Sequence, residues 1–258
     1  MKSFITPSSW LSQPVNIMVI GAGGTGSALL SYLAQMDHSL RQLSDGQSYL
    51  NLSVVDGDEI SVFNIGRQAF AQNDIGHYKS EVLVQRFNQF YGTKWSYSTD
   101  YITPKDIARS YGIDLVISCV DSAKFRYELG KYFTFQHTET LWLDCGNDAN
   151  SAQVLFGHLG ICKAELRLPN IFDLYGAELK SIEDRPEDSC SFHESLTNQE
   201  FGINHSTALQ ASNMLWQLMR HGQLDYMGSY VDLPTGQVTP LAIDEDVWAS
   251  FGYQSKAA

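Results

Sequence analysis

The run Val15–Ile20 (VNIMVI) is continuously apolar but for one Asn, and it leads directly into Gly21-Ala22-Gly23-Gly24-Thr25-Gly26. No other feature constrains the chain as strongly. A buried strand entering clustered glycines turns sharply, and a helical pattern follows at once, with Leu29, Leu30, Leu33 and Met36 on one face. Glycines at such a turn let backbone N–H groups approach a phosphate, and the helix N-terminus behind them supplies a positive dipole end. The unit that results is βαβ, with parallel strands.

Strand and helix patterns then alternate. A second strand, Leu50–Val55, ends on Asp56, and residues 37–48 read as a polar loop before it. Helical spacing covers 80–90 and 123–135, and apolar runs at 115–120 and 141–145 read as buried strands. This alternation predicts an α/β fold with a doubly wound, Rossmann-like, mainly parallel sheet. Beyond it we expect a strand over 153–159, a long crossing loop at the polar, acid-rich stretch SIEDRPEDSCSFHES within 169–200, and a helix over 206–220 capped by Ser206. Two short strands at 230–233 and 238–241, parted by Pro-Thr-Gly-Gln, predict a late antiparallel hairpin. The expected organisation is a single domain over 1–258, with a nucleotide-binding core at 15–160 and the loop, helix and hairpin at 161–258.

Charge and cysteine usage narrow the setting. Of 258 residues, 17 are Lys or Arg and 29 are Asp or Glu, a formal charge of −12. Without a cationic excess there is little to displace counterions from nucleic acid or to attract an anionic membrane. Cys119, Cys145, Cys162 and Cys190 form no CxxC, so no zinc site and no disulfide scaffold are expected. Residues 1–14 lack the apolar stretch of a signal peptide, and no run of about 18 apolar residues occurs. These absences set the expectation of a soluble cytoplasmic protein.

The glycine turn and Asp56, placed to hold ribose hydroxyls, fit a nicotinamide dehydrogenase as well as an ATP enzyme. The residues that follow separate the two. A triphosphate under attack needs cations on its outer phosphates and an acid for Mg²⁺, whereas a dinucleotide needs neither. Arg67 and Lys79 supply the cations, and Asp121, at the carboxyl end of the 115–120 strand, supplies the acid.

Taken in order, these segments resemble the ThiF/MoeB/ubiquitin-activating-enzyme superfamily, whose pattern is a GxGGxGS turn, DxD, an SNLxRQ-like segment, GxxK and a strand ending in TDN. Here they stand as residues 21–27, Asp56 and Asp58, the stretch Val62-Phe63-Asn64-Ile65-Gly66-Arg67-Gln68, Gly76-His77-Tyr78-Lys79, and Val120-Asp121-Ser122. The likeness runs through 15–160 and more loosely through 185–221. Length and late hairpin are similar to the variety found beside PRTRC-type plasmid gene clusters. The resemblance implies an ATP-dependent adenylyltransferase acting on the C-terminal carboxylate of a ubiquitin-like or sulfur-carrier protein ending in glycine. It implies that Gly21, Gly23, Gly24 and Gly26 face the phosphates and that Asp56 holds the ribose, with Asp58 beside it. Asn64, Arg67 and Lys79 would hold phosphates, Asp121 would take Mg²⁺, and Ser122 stands where the family has an amide. A homodimer is implied as well.

Cys190, in the crossing loop, is a candidate acceptor for the activated acyl group, with His193 as a nearby base, although Asp184, Glu187 and Asp188 would oppose a thiolate there. Three departures from the family pattern stand out. No arginine precedes Arg41, Ser122 replaces the usual Asn, and the paired CxxC zinc ligands are missing. A non-catalytic partner subunit, a nicotinamide oxidoreductase, and adenylation of a peptide or tRNA remain as alternatives.

Overall fold

The computed structural model describes residues 2–182 and 199–254. In chain order the strands are β1 (Phe4–Ile5), β2 (Val15–Ile20), β3 (Leu50–Val55), β4 (Ser96–Ser98), β5 (Leu115–Ser118), β6 (Leu141–Asn147), β7 (Ser151–His158), β8 (Gln223–Leu224), β9 (Tyr226–Asp232) and β10 (Gln237–Ala242). The helices are α1 (Gly24–Leu43), α2 (Lys79–Tyr91), α3 (Pro104–Arg109), α4 (Ala123–Phe133), α5 (Ile171–Ser181), α6 (Ile203–Trp216) and α7 (Glu245–Ser250).

Eight strands form one sheet in the order β10-β9-β7-β6-β5-β2-β3-β4. From β4 through β6 the neighbours are parallel, and β7, β9 and β10 continue the sheet antiparallel. The fold is the expected Rossmann-like α/β arrangement with an antiparallel C-terminal part. Val15, Val19, Leu50, Val54 and all four residues of β5 are buried, as continuous apolar strands covered on both faces should be. Register places Val55, Ile20, Ser118 and Asp144 side by side across β3, β2, β5 and β6. Three carboxyl ends, of β3, β2 and β5, therefore finish level while β6 runs on to Asn147, on either side of the switch between β2 and β5, where open α/β sheets form their ligand crevice. Helix α1 packs against α2 and α6, and α4 packs against α3 and α5.

Several boundaries differ from the sequence expectation. The stretch 37–48 is not a loop, because α1 runs on to Leu43. Asp37 faces inward, 1% exposed, where one carboxylate oxygen accepts the Leu50 N–H at 2.7 Å and the other the Arg41 Nε at 2.8 Å. A polar residue that caps the next strand thus occupies a core position. The acid-rich crossing loop lies almost wholly outside the described residues, and ahead of it stands α5, unread in the sequence and started by Asn170, whose side chain accepts from the Phe172 and Asp173 N–H groups. Helix α6 begins at Ile203, after Gly202 at φ +93°, so Ser206 lies within it and does not cap it. Ile203 is fully buried against Ala152 and Val231, and that burial draws the helix start forward. The late hairpin is longer than expected, β9 to β10, while β4, α3 and α7 carried too little periodicity to be read.

The N-terminal arm crosses to the C-terminal half, where β1 pairs antiparallel with β8. Phe4 meets the rings of Phe156 and His158 edge-on at 5.2 and 5.8 Å. His158 is 4% exposed, and its Nδ1 accepts the Leu168 N–H at 3.0 Å. Burial, assisted by the Arg167 charge, pushes its pKa down from 6.5 to about 4. The folded chain therefore binds fewer protons than the unfolded chain between these values. Its stability is complete above the unfolded value and is lost as pH falls toward the folded one. We expect His158 to account for up to about 3 kcal/mol of acid destabilisation. Urea unfolding of wild type and H158N at stepped pH checks this, and equal pH slopes for the two chains would refute it.

Candidate functional site

The turn between β2 and α1 closes on itself through glycine. Gly21 has φ +93°, and a Cβ there would lie 2.7 Å from the Cys119 carbonyl oxygen. A Cβ on Gly26 would overlap the Gly21 carbonyl oxygen, and one on Gly24 would meet the Asn204 side chain at 2.6 Å. Gly23 differs, since a Cβ on it would find only Gln68 Nε2, at 3.9 Å. Gly21 and Gly26 are thus required by backbone contacts, Gly24 presses on a side chain, and Gly23 alone would take a Cβ with nothing nearer than ordinary contact.

Asp56 ties the end of β3 to this turn. Its Oδ2 accepts the Ala22 N–H at 2.5 Å and its Oδ1 accepts the Asp58 N–H at 2.9 Å. Burial raises its pKa against the opposing pull of the Lys79 charge and these two N–H groups. Lys79, only 7% exposed, opens α2 and places Nζ 2.6 Å from Asp58 Oδ2. Tyr101 donates to the other Asp58 oxygen at 2.6 Å, and its ring lies so close to Gly57 that a Cβ there would be 2.9 Å away. Burial works against the Asp58 carboxylate, but the Lys79 and Tyr101 bonds prevail and hold its pKa below the usual value. Asp56 and Asp58 on one side and Lys79, some twenty residues on, therefore form one cluster beside the turn.

Arg67 reaches the same region from the loop after β3. Its Nη2 donates to Gln199 Oε1 at 3.0 Å, and Gln199 Oε1 also accepts from Asn204 Nδ2 at 3.4 Å. Asn204 Oδ1 in turn accepts from Thr25 Oγ1 at 3.0 Å and Asn147 Nδ2 at 2.7 Å. The first turn of α6, the end of β6 and the glycine turn are joined by this amide network. Ser27 Oγ accepts the Ala69 N–H at 3.1 Å and anchors the Arg67 loop to α1. Asn64 Oδ1 accepts the Ser61 N–H at 2.8 Å, so its side chain caps its own short turn in this state.

Asp121 is exposed just beyond the end of β5. Ser122 caps α4, its Oγ accepting the Phe125 N–H at 3.0 Å. Beneath them Arg126 and Asp144, both buried, pair at 2.8 Å. Burial alone would lower the guanidinium pKa, and the Asp144 charge reverses this and raises it. Cys145 is buried and its thiol pKa is pushed well up, by a hydrogen bond with Cys119 and by burial, which makes it a poor nucleophile. Cys190 and His193 lie outside the described residues. The expected Gly, Asp56, Asp58 and Lys79 set is brought together, and Asp121 stands on the same row of strand ends. Thr25, Tyr101, Asp144, Asn147, Gln199 and Asn204, which the structure places around the turn and strand ends, were not singled out from the sequence, and Arg126 only by its place five residues beyond Asp121. Isolated Asn, Gln and Thr residues carry no sequence signal of the partners they find.

A glycine turn, a half-buried aspartate and a buried lysine stand together at the switch point of a mostly parallel sheet, in a Rossmann-like α/β domain. The ThiF family model matches residues 11–158, and the chain belongs to that family. Over 73 residues it is 41% identical to the NEDD8-activating enzyme E1 catalytic subunit of Arabidopsis thaliana, a stretch covering 28% of this chain and 14% of that one. Its fold is similar to E. coli MccB solved with ATP, at TM-score 0.56 and 13% identity, covering 89% of this chain and 64% of that chain. A structure of the microcin C7 biosynthetic enzyme MccB with N-formylated MccA gives TM-score 0.58, 14% identity and the same coverage. The chain thus spans 64% of the length of these MccB chains and 14% of the curated relative. Among the described residues, no helix is long and apolar enough to cross a membrane.

The turn sterics yield a contrast. Alanine at Gly26 has only backbone to displace, so G26A should cost more than about 3 kcal/mol or abolish folding. G23A should be clearly milder. Thermal melts of the two variants measure this, and equal losses would refute the steric assignment.

Proposed function

We propose that the chain uses ATP to adenylate a carboxylate, the C-terminal one of a ubiquitin-like or sulfur-carrier protein ending in glycine. The observation that carries the reading is Lys79. A cation held almost wholly out of water, paired with Asp58 beside Asp56 and the glycine turn, is more than a dinucleotide requires and suits a triphosphate. Membership of the ThiF family and the fold shared with MccB support it.

In this reading the N–H groups of the turn face the phosphates, and the open space before Gly23 is where the phosphate chain lies. Asp56, aligned by Ala22 and Asp58, accepts the ribose hydroxyls. A carrier carboxylate oxygen attacks the α-phosphorus, a P–O bond forms, the bond to the β-phosphate oxygen breaks, and pyrophosphate leaves. Two anions must meet, so positioning and charge neutralisation supply the catalysis and no general base is required. Lys79 and Arg67 offset the charge gathering on pyrophosphate. Asn64 joins them at the phosphates once its capping bond is exchanged.

Among the described residues no three His, Cys, Asp or Glu side chains gather to hold a metal unaided. A single exposed carboxylate fits Mg²⁺ carried on phosphates, since that ion keeps waters and takes one or two protein carboxylates. Asp121 is the residue that would hold it, with Ser122 adjacent, and the ion would neutralise phosphate charge. A homodimer and transfer of the acyl group to Cys190 complete the proposal.

Pyrophosphate exchange into ATP, dependent on a small glycine-ending protein, tests the core of it. Loss of exchange in K79M by about 100-fold or more, with the fold intact, is expected if a charge-neutralising contact is removed. Tight NAD binding without ATP binding in calorimetry would overturn the reading. G23A should weaken ATP binding while wild-type-like melting is largely kept, because its Cβ enters the space assigned to the phosphates. For Cys190, the C190S chain should form adenylate and release pyrophosphate yet yield no thioester on a non-reducing gel. A thioester retained in C190S would remove that residue from the scheme.

A further inference from the structure

We propose that Arg126 is a positioning residue for adenylation, holding the carboxyl ends of β5 and β6 at the spacing that presents Asp121 and Asn147 to the crevice. The inference rests on the reading of Asp121 as part of the reacting site.

The β5–β6 ladder runs from Leu115 beside Leu141 to Ser118 beside Asp144, and β5 ends there. Arg126 takes over beyond that point. Its Nη2 donates to the Val120 carbonyl at 2.6 Å and to the Cys145 carbonyl at 3.1 Å, while Nε donates to Asp144 Oδ1 at 2.8 Å. One planar group therefore bridges the residue before Asp121 to the strand that ends on Asn147. Asp144 is itself aimed by Ser118 Oγ, which donates to Oδ1 at 2.6 Å and accepts from Trp142 Nε1 at 2.7 Å. On the other side of Asp121, Ser122 caps the helix that carries Arg126. Asp121 is thus gripped from the preceding carbonyl and the following cap.

Stability alone does not account for this arrangement. A buried ion pair commonly does no better than well-packed apolar residues of the same volume. Here the second Asp144 oxygen also has no hydrogen-bond partner among the described residues. The guanidinium does provide a rigid fork that can reach two carbonyls and a carboxylate at once, which the point charge of a lysine cannot. The turn, Asp56 and Lys79 belong to β2, β3 and α2, none of which Arg126 touches in these bonds.

The test uses R126K and D144N in the full chain, with W248F as a control for lost stability. Trp248 is fully buried in α7, with its Nε1 bonded to the Ala242 carbonyl, and shares no hydrogen bond with Arg126 or Asp144 among those described. Measured are melting temperature, ATP affinity by calorimetry, and kcat and KM for carrier-dependent pyrophosphate exchange. A misplacement of about 1 Å costs about 100-fold in rate. R126K should therefore lose at least about tenfold in kcat while its ATP dissociation constant stays within about threefold. D144N, whose Arg126 loses its aiming charge, should show the same split with a smaller fall. W248F should melt earlier with kcat unchanged. Unchanged kcat in a folded R126K, or kcat and ATP affinity falling together, overturns the proposal. If R126K does not fold, D144N decides alone by the same criteria. No exchange from the wild-type chain would defeat the parent reading and this one with it, whereas exchange in wild type with an unaltered R126K defeats this one alone.

Discussion

The site depends on one carboxylate spanning two strands. Asp56 sits at the end of β3 and accepts the N–H of Ala22, the second residue of the turn that follows β2. Parallel register brings these ends level, but register alone would leave the turn free to drift. With the carboxylate bound on one side to Ala22 and on the other to Asp58, the turn, the acid and the start of the next loop become one rigid piece. Lys79 is then set by Asp58, and Tyr101 by the same carboxylate. Charge balance follows from the geometry: two acids share one buried cation, and burial raises one acid while hydrogen bonds lower the other.

A second layer of order comes from the far end of the chain. Asn204, in the first turn of α6, packs on Gly24, where a Cβ would come within 2.6 Å of its side-chain amide. It also links Thr25 and Asn147, and through Gln199 it reaches Arg67. The glycine turn is therefore held by residues nearly two hundred positions away. Uncharged amides suit that duty, since each offers both donors and an acceptor without introducing a charge to compete with a bound anion.

Much of this was legible in the sequence wherever one physical signal dominated. Apolar runs ending on Gly21, Asp56 and Asp121 marked strands and their carboxyl ends, and the ordered motifs marked the cations. Legibility failed where a polar residue serves the core. Asp37 looked like the start of a loop because its charge is satisfied by Leu50 and Arg41, which are remote or a turn away. Ser206 looked like a cap because the true start of α6 is set by burial of Ile203, a tertiary contact. Helix α5 was hidden in a stretch whose acidic C-terminal part drew attention from the cap at Asn170. The amide network could not be read at all, since lone Asn and Gln residues announce no partner.

The sheet's open edge has a consequence of its own. β10 is the last strand on its side, with Gln237 through Pro240 exposed and Val238 among them half uncovered. An unpaired edge of this kind invites another chain to add a strand. Pro240 lies within it and has no N–H to offer, and proline is tolerated in sheets where its missing donor faces outward. A would-be partner strand would find a gap in the ladder at its middle. Among the described residues the C-terminal hairpin thus closes this side of the sheet with an edge that offers a neighbouring strand an incomplete ladder.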